Sequence, residues 1–165
     1  MEFLIGKIIT YNSIATITSK TYSTVCYLFT VNHSDLNDCL KELDLQFKLS
    51  IIDSIINQER KKCIEQSQMI DPQFNVNNIN QTNVINNNNK FKSCIDISID
   101  YLISSTENIR DELKIIEDRI KRHNNKWFHN YRNLNLEKNF EKLREYSKIL
   151  DTRYKYFVKL KEAHF

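Results

Sequence analysis

A heptad repeat of apolar residues dominates the second half of the chain. Its members alternate at spacings of four and three residues from Ile95 to Ile120, which is almost four repeats. A helix with this spacing carries one apolar stripe that pairs with the stripe of another helix, so the repeat predicts a long, coiled-coil-like helix. The segment "CIDISID" also alternates as a strand would, but the heptads that follow it favour a helix. The stripe consists of Ile95, Ile99, Leu102, Thr106, Ile109, Leu113, Ile116 and Ile120.

A second stripe with the same spacing lies closer to the C-terminus and predicts a helix over residues 136–160. Two helices of similar length, joined by about fifteen residues, are typical of an antiparallel helical hairpin. The second stripe consists of Leu136, Phe140, Leu143, Ser147, Leu150, Tyr154 and Phe157, and it is widened by Tyr146, Ile149, Tyr156 and Leu160.

Glycine and proline are almost missing, with one of each among 165 residues. Ordinary usage is roughly 7% and 5%. Both residues serve tight turns, so their scarcity favours long helices with few turns. Phosphate-binding loops and dinucleotide fingerprints need several glycines, and Gly6 alone cannot supply them. The sequence therefore excludes nucleotide-dependent enzymes of those classes.

The first thirty residues favour β structure by composition. The segments "FLIGKII", "IATITSK" and "TVCYLFTV" are rich in β-branched and aromatic residues. Weak turn signals separate them. We therefore predict a small antiparallel β-hairpin or three-stranded meander, which must pack on a helix to be stable.

A further helix is predicted over residues 34–70. Ser34 and Asp35 can cap its first turn, and Asp71-Pro72 ends it because the residue before a proline avoids the helical conformation. Two adjacent apolar stripes cover much of its circumference, so we expect it to be buried on more than one side. The first stripe consists of Leu36, Leu40, Leu43, Phe47, Ile51 and Ile55, and the second of Leu45, Leu49, Ile52 and Ile56.

The domain organisation follows from these segments. Asparagine fills nine of the fifteen positions in residues 75–89, and such a polar segment cannot bury enough apolar surface to order itself. We predict a mainly α (α+β) fold with a small β element at 1–33, a first helix at 34–70, an Asn-rich flexible linker at 71–91 and an antiparallel helical hairpin at 92–165. The three helices form one three-helix bundle, or a dimer completes the bundle.

The charge of the chain is uneven. Residues 107–165 carry 15 Lys and Arg against 10 Asp and Glu, whereas residues 1–74 carry 7 against 9. The cations concentrate at 119–132, "RIKRHNNKWFHNYR", and no acid lies between Asp118 and Glu137. Cations for phosphates and rings for bases are typical of a nucleic-acid interface. The candidate residues are Arg119, Lys121, Arg122, Lys126, Trp127, Phe128, Tyr131 and Arg132.

The same stretch is also typical of a bend between two helices. Cations at the end of a helix interact favourably with its macrodipole. Trp127 falls seven residues after Ile120, so its ring would cap the core. An anionic membrane is a third partner that the cations would suit.

The cysteines do not form a metal motif. Cys26, His33 and Cys39 lie within fourteen residues, but zinc sites favour closely paired ligands. We therefore predict no metal site and expect buried, reduced thiols. The N-terminus has an acid at position 2 and no basic region before its apolar run, unlike a secretory signal. We expect an intracellular, reducing compartment, namely the cytoplasm, the nucleus or a virion.

No cluster of side chains indicates catalysis. Glu137, Glu141 and Glu145 share a helix face with lysines, which favours exposed ion pairs. We predict a non-enzymatic scaffold or assembly protein that pairs helices with itself or with a protein partner, without a cofactor or a small-molecule substrate. Nucleic-acid binding through residues 119–132 is the alternative, and peripheral contact with an anionic membrane is the third. Ile, Asn and Lys make up 59 residues, which indicates the A/T-rich genome of a protist, a parasite or a large DNA virus.

Overall fold

Helices account for nearly all of the described chain, which comprises residues 2–71, 94–126 and 134–163 of a computed structural model. The described residues contain no β-strand. The prediction of a mainly helical fold is therefore confirmed. In chain order the helices are α1 (Glu2–Phe29), α2 (Ser34–Leu43), α3 (Leu45–Ile70), α4 (Cys94–Asn124) and α5 (Glu137–Ala163).

The β element predicted over residues 1–33 is wrong, because α1 occupies that segment. Its buried side chains recur every three or four residues, which is the helical period. Composition misled because β-branched residues also fit a helix when one face of it is buried. Hydroxyl groups along α1 bond back to the carbonyl four residues earlier, as Thr21 does to Ile17 at 2.8 Å. The buried positions are Ile8, Tyr11, Ile14, Thr18, Thr21, Val25 and Leu28.

Residues 34–70 form two helices rather than one. The helix is interrupted at Asp44, whose backbone is left-handed with φ 49° and ψ 39°. Leu43 closes the buried stripe of α2 and Leu45 opens that of α3, so the two predicted stripes are one stripe shifted at the break. Phe47, placed on a buried stripe by the continuous-helix pattern, is 60% exposed.

The four long helices form an up-down-up-down bundle instead of a three-helix bundle. Helix α1 packs against both α3 and α4, and α4 packs against α5. Helices α3 and α5 run parallel, since Lys48 pairs with Asp151 at 2.8 Å and Glu59 pairs with Lys161 at 2.9 Å further along both helices. One continuous apolar core runs between them.

The predicted Asn-rich linker at 71–91 lies, apart from Asp71, outside the described residues. Within the described ranges, no helix combines the length and the apolarity needed to cross a bilayer.

Candidate interaction surface

Residues 119–132, called the basic bend below, begin at the end of α4. The first cations of this bend have partners within the fold. The guanidinium of Arg119 donates to the side-chain oxygen of Asn139 and to the carbonyl of Asn135, the latter at 3.0 Å. Lys121 forms an ion pair with Glu117. The hydrogen bond to this carboxylate raises the pKa of Lys121 above its ordinary value.

One further contact ties the bend to α1, and another lies within α4. The ammonium of Lys121 lies 5.6 Å from the centre of the Tyr27 ring on α1, a cation–π distance. Arg122 donates from Nε to the carbonyl of Asp118 at 3.1 Å. Lys126 is exposed. The remaining candidates of the bend, Trp127, Phe128, Tyr131 and Arg132, lie outside the described residues.

The residues of the predicted helix-pairing stripe lie in the core of this chain. From Ile99 to Ile120 every apolar member is buried, and Ile95 is half-buried. On α5 and just before it, Leu136, Phe140, Leu143, Leu150 and Phe157 are buried, while Tyr154 is half-buried. The stripe therefore pairs helices within the chain, and a partner must use another surface.

A buried polar network joins α4 to α5 within this core. Glu112 is 3% exposed, and its carboxylate accepts a hydrogen bond from the amide of Asn139. Its second oxygen lies 3.7 Å from the ammonium of Lys142. Because buried charges need partners, these contacts fix the position of α5 on α4.

An apolar groove opens between the start of α4 and the end of α5. Its volume is about 410 Å³, and its walls are almost entirely carbon. It lies at the end of the bundle opposite the basic bend, because α4 begins there and α5 ends there. The lining residues are Cys94, Ile97, Ser98, Tyr101, Arg153, Tyr156 and Leu160.

Arg153 is held firmly in this groove. Its Nη1 donates to the carbonyl of Tyr101 at 2.8 Å and to the hydroxyl of Ser105 at 2.7 Å. Its guanidinium also lies 5.2 Å from the centre of the Tyr101 ring. Three contacts to α4 leave this side chain little rotational freedom, so the groove is ordered before any partner binds.

The rim of the groove exposes large apolar side chains. Tyr156 is 63% exposed, Tyr101 is 55% exposed and Ile97 is 42% exposed. Single exposed apolar residues are common, but a group of three beside one groove is typical of a contact surface. Tyrosine and arginine are also the residues that most often dominate binding energy in protein interfaces.

A second, polar cleft of about 690 Å³ lies at the other end of the bundle. The starts of α2 and α5 meet there, yet Asp35 and Glu137 already place carboxylates in their first turns, which disfavours an anionic ligand. Its other polar groups cap helices: His33 Nδ1 accepts from the backbone of Leu36 at 3.3 Å, and Asn135 Oδ1 accepts from the backbone of Glu137 at 2.9 Å. Helix capping thus accounts for these polar groups of the cleft.

The cysteines have separate environments. The Sγ of Cys26 accepts from Gln46 at 3.2 Å, while burial raises the pKa of the Cys39 thiol to about 11. Burial also raises the pKa of Cys63. Cys94, in the groove, is exposed. In the described part of the chain, no three His, Cys, Asp or Glu side chains form a metal-binding group.

Two residues of this groove belong to the predicted core. The widened second stripe includes Tyr156 and Leu160, yet Tyr156 is exposed and Leu160 is half-buried. The signal that pointed to a surface was the position of Ile97, Tyr101 and Tyr156 outside the strict heptad.

Comparison with known proteins identifies a viral relative. The chain is 28% identical over 152 residues to L717, an uncharacterised protein of Acanthamoeba polyphaga mimivirus. The alignment covers 90% of this chain and 72% of the relative, so the likeness extends over nearly the whole bundle. No protein-family model matches the chain, and no solved structure matches it.

Proposed function

We propose that this chain is a non-enzymatic interaction protein that binds a helix of a protein partner in the α4–α5 groove. The observation that supports the proposal is the cluster of Ile97, Tyr101 and Tyr156, which are exposed around an apolar groove containing a fixed arginine. The polar cleft and the basic bend offer no comparable apolar surface among the described residues.

The shape of the groove favours a helix as the occupant. Two packed helices leave a groove into which the side chains of a third helix fit as a ridge. From Cys94 to Tyr101 the α4 wall rises through seven residue steps, or roughly 10 Å at 1.5 Å per residue. This length accommodates about two turns of a partner helix, with apolar anchors at positions i, i+3 or i+4, and i+7.

Burial of the exposed tyrosines would supply part of the binding energy. A buried tyrosine removes roughly 150–250 Å² from water, at roughly 25 cal/mol/Å². Burying the exposed part of Tyr101 and of Tyr156 therefore contributes roughly 2 kcal/mol each, before the losses of association.

The basic bend remains the alternative surface, for nucleic acid or for an anionic membrane. Arg119, Lys121 and Arg122 already bond within the fold, which weakens that alternative. To bind phosphate, these three side chains would have to give up their partners within the fold. The cost of that separation would lower the affinity for phosphate.

Site-specific photo-crosslinking in living cells tests the proposal. We would replace Tyr156 by benzoylphenylalanine, with Phe47 as the matched control because it is also an exposed aromatic residue but lies on α3. We expect a discrete adduct from position 156 that is missing from position 47. The crosslinked protein, purified and mixed with the chain, should bind it and should lose binding to the variant Ile97→Asp.

Each contrary result has a distinct meaning. An adduct at twice 19.8 kDa would identify a second copy of the chain as the partner. Equal adducts from positions 156 and 47 would show that the groove is not a specific surface. Retention of duplex DNA or of anionic vesicles that is lost on Lys121→Glu would favour the basic bend instead.

A further inference from the structure

We propose that the partner helix of the α4–α5 groove is acidic, with aspartate or glutamate beside its apolar stripe. This inference rests on the proposed function and adds the chemical class of the partner. It is based on the charges around the groove, taken wall by wall.

Arg153 supplies the first contact for a carboxylate. Only its Nη1 is used by the contacts to Tyr101 and Ser105, and within the described residues Nε and Nη2 make no hydrogen bond. These two nitrogens have the fork geometry that binds a carboxylate in a bidentate manner. An acidic side chain above the Tyr101 ring would therefore meet a positioned donor pair.

The α5 wall is basic beyond Arg153. Lys155 and Lys159 are exposed, and Lys159 lies one helical turn after Tyr156. The acids in residues 148–163 are Asp151, whose carboxylate is held by Lys48 at 2.8 Å, and the exposed Glu162. The end of α5 therefore carries net positive charge, and Arg153 is the cation that lines the groove itself.

The α4 wall is close to neutral at its rim. Its lining residues carry no charge, and the next exposed positions along the same face, Ser104 and Asn108, are also uncharged. Asp96 and Asp100 are half-buried on the same helix and already interact within the chain. An approaching helix consequently meets Arg153 and the cationic end of α5 on one side and the uncharged lining of α4 on the other, so acidic flanks are favoured and basic flanks are disfavoured.

A displayed library of amphipathic helices tests this inference on the intact, purified chain. The peptides would be about 14 residues, or roughly 21 Å when helical. Their stripe positions would vary among Leu, Ile, Phe and Met, and their flanking positions among Glu, Gln and Lys. Binders would be counter-selected on the charge-neutral double variant Ile97→Ala/Tyr156→Ala, which leaves only groove-dependent peptides.

We expect the groove-dependent peptides to be enriched in Glu at the flanks. An individual Glu-flanked peptide should bind about tenfold tighter than its Lys-flanked counterpart, and the ratio should shrink as salt rises. Arg153→Gln should weaken the Glu-flanked peptide by about tenfold. Lys155→Gln/Lys159→Gln should weaken it less, whereas the control Lys114→Gln/Lys138→Gln, with the same change of charge elsewhere, should leave it unchanged.

The outcomes separate this inference from the proposed function. Groove-dependent binders without a preference for Glu, or with a preference for Lys, would overturn the acidic partner but keep the groove as a binding site. A selection without any groove-dependent binder would overturn both. Binding of duplex DNA or of phosphatidylserine vesicles that is lost on Lys155→Gln/Lys159→Gln would show that the cations serve a polyanion, which also overturns the acidic helix.

Discussion

The amide of Asn139 on α5 donates a hydrogen bond to the carboxylate of Glu112 on α4, and both side chains are buried in the apolar core. A carboxylate in such a place is stable only if its oxygens have partners. Asn139 satisfies one oxygen and Lys142 approaches the other at 3.7 Å. The same asparagine accepts from Arg119, so one residue connects a buried acid to the start of the basic bend.

Replacing Asn139 by leucine is expected to lower the free energy of unfolding by about 3 kcal/mol, because it leaves a buried charge without its hydrogen bond. The double variant Glu112→Leu/Asn139→Leu removes the charge as well and should recover most of that loss. Urea unfolding of the two variants measures both changes. Glu141→Gln, on the exposed face of α5, is the control and should change stability by less than about 0.5 kcal/mol. A double variant as unstable as the single one would show that the network contributes more than the pairing of Glu112.

Thr18 offers a contrasting case on α1. Its side-chain oxygen is buried and makes no hydrogen bond within the described part of the chain, whereas Thr21, equally buried, bonds to the carbonyl of Ile17. Thr18→Val removes an unsatisfied polar group at constant shape and should raise the free energy of unfolding by about 1 kcal/mol. Thr21→Val should have a smaller or opposite effect, and thermal unfolding compares the two. Equal destabilisation by both would imply that a buried water satisfies Thr18.

These threonines also explain why α1 was not predicted. The positions from Ile8 to Leu28 repeat with helical spacing, but two of the central ones are Thr18 and Thr21 rather than aliphatic residues. Their β-branched side chains lower intrinsic helix propensity and resemble those of a strand. Burial between α3 and α4 outweighs that preference, and only the packing of the whole bundle supplies this information. The α4–α5 hairpin was predictable because its stripes are aliphatic and sustained.

The surface could be predicted only in part. Tyr156 lies beside the second stripe, and its sequence position does not distinguish a wide core from an exposed rim. The answer depends on how closely the start of α4 and the end of α5 approach each other, which the hydrogen bonds of Arg153 to Tyr101 and Ser105 help to set. The break at Asp44 did leave a signal, since a step of two residues between Leu43 and Leu45 does not fit one continuous helix.

Asp44 itself is a site where backbone strain can be measured. A left-handed conformation costs a non-glycine residue roughly 1–2 kcal/mol, somewhat less for aspartate. Asp44→Gly should therefore be neutral or stabilising by up to about 1 kcal/mol, and Asp44→Val should destabilise by about 1–2 kcal/mol. Thermal unfolding measures both. Asp38→Gly is the control, because glycine inside α2 should lower stability by about 1 kcal/mol. Equal losses at positions 38 and 44 would contradict the strain at Asp44.

Glu59 makes stability depend on pH. Partial burial by itself would raise the pKa of Glu59, but hydrogen bonds from Lys161 at 2.9 Å and Lys62 at 3.1 Å outweigh burial and lower it below 4.5. A lowered pKa in the folded state means that the carboxylate stabilises the fold above about pH 4.5. That stabilisation is lost as the pH falls from there through the folded pKa, because protonation removes the charge that holds both lysines.

Glu59→Gln tests this argument by urea unfolding at a series of pH values. At neutral pH the variant should be less stable than the natural chain by about 1 kcal/mol, since its ion pairs are only partly shielded from water. The difference should shrink below pH 4.5 and vanish once Glu59 is protonated in both states. Glu65→Gln on the same helix is the matched control, because the ion pair of Glu65 with Lys61 is exposed and 3.9 Å long, so this variant should be nearly neutral. A constant difference between Glu59→Gln and the natural chain across the whole pH range would show that Glu59 acts through packing of its side chain rather than through its charge.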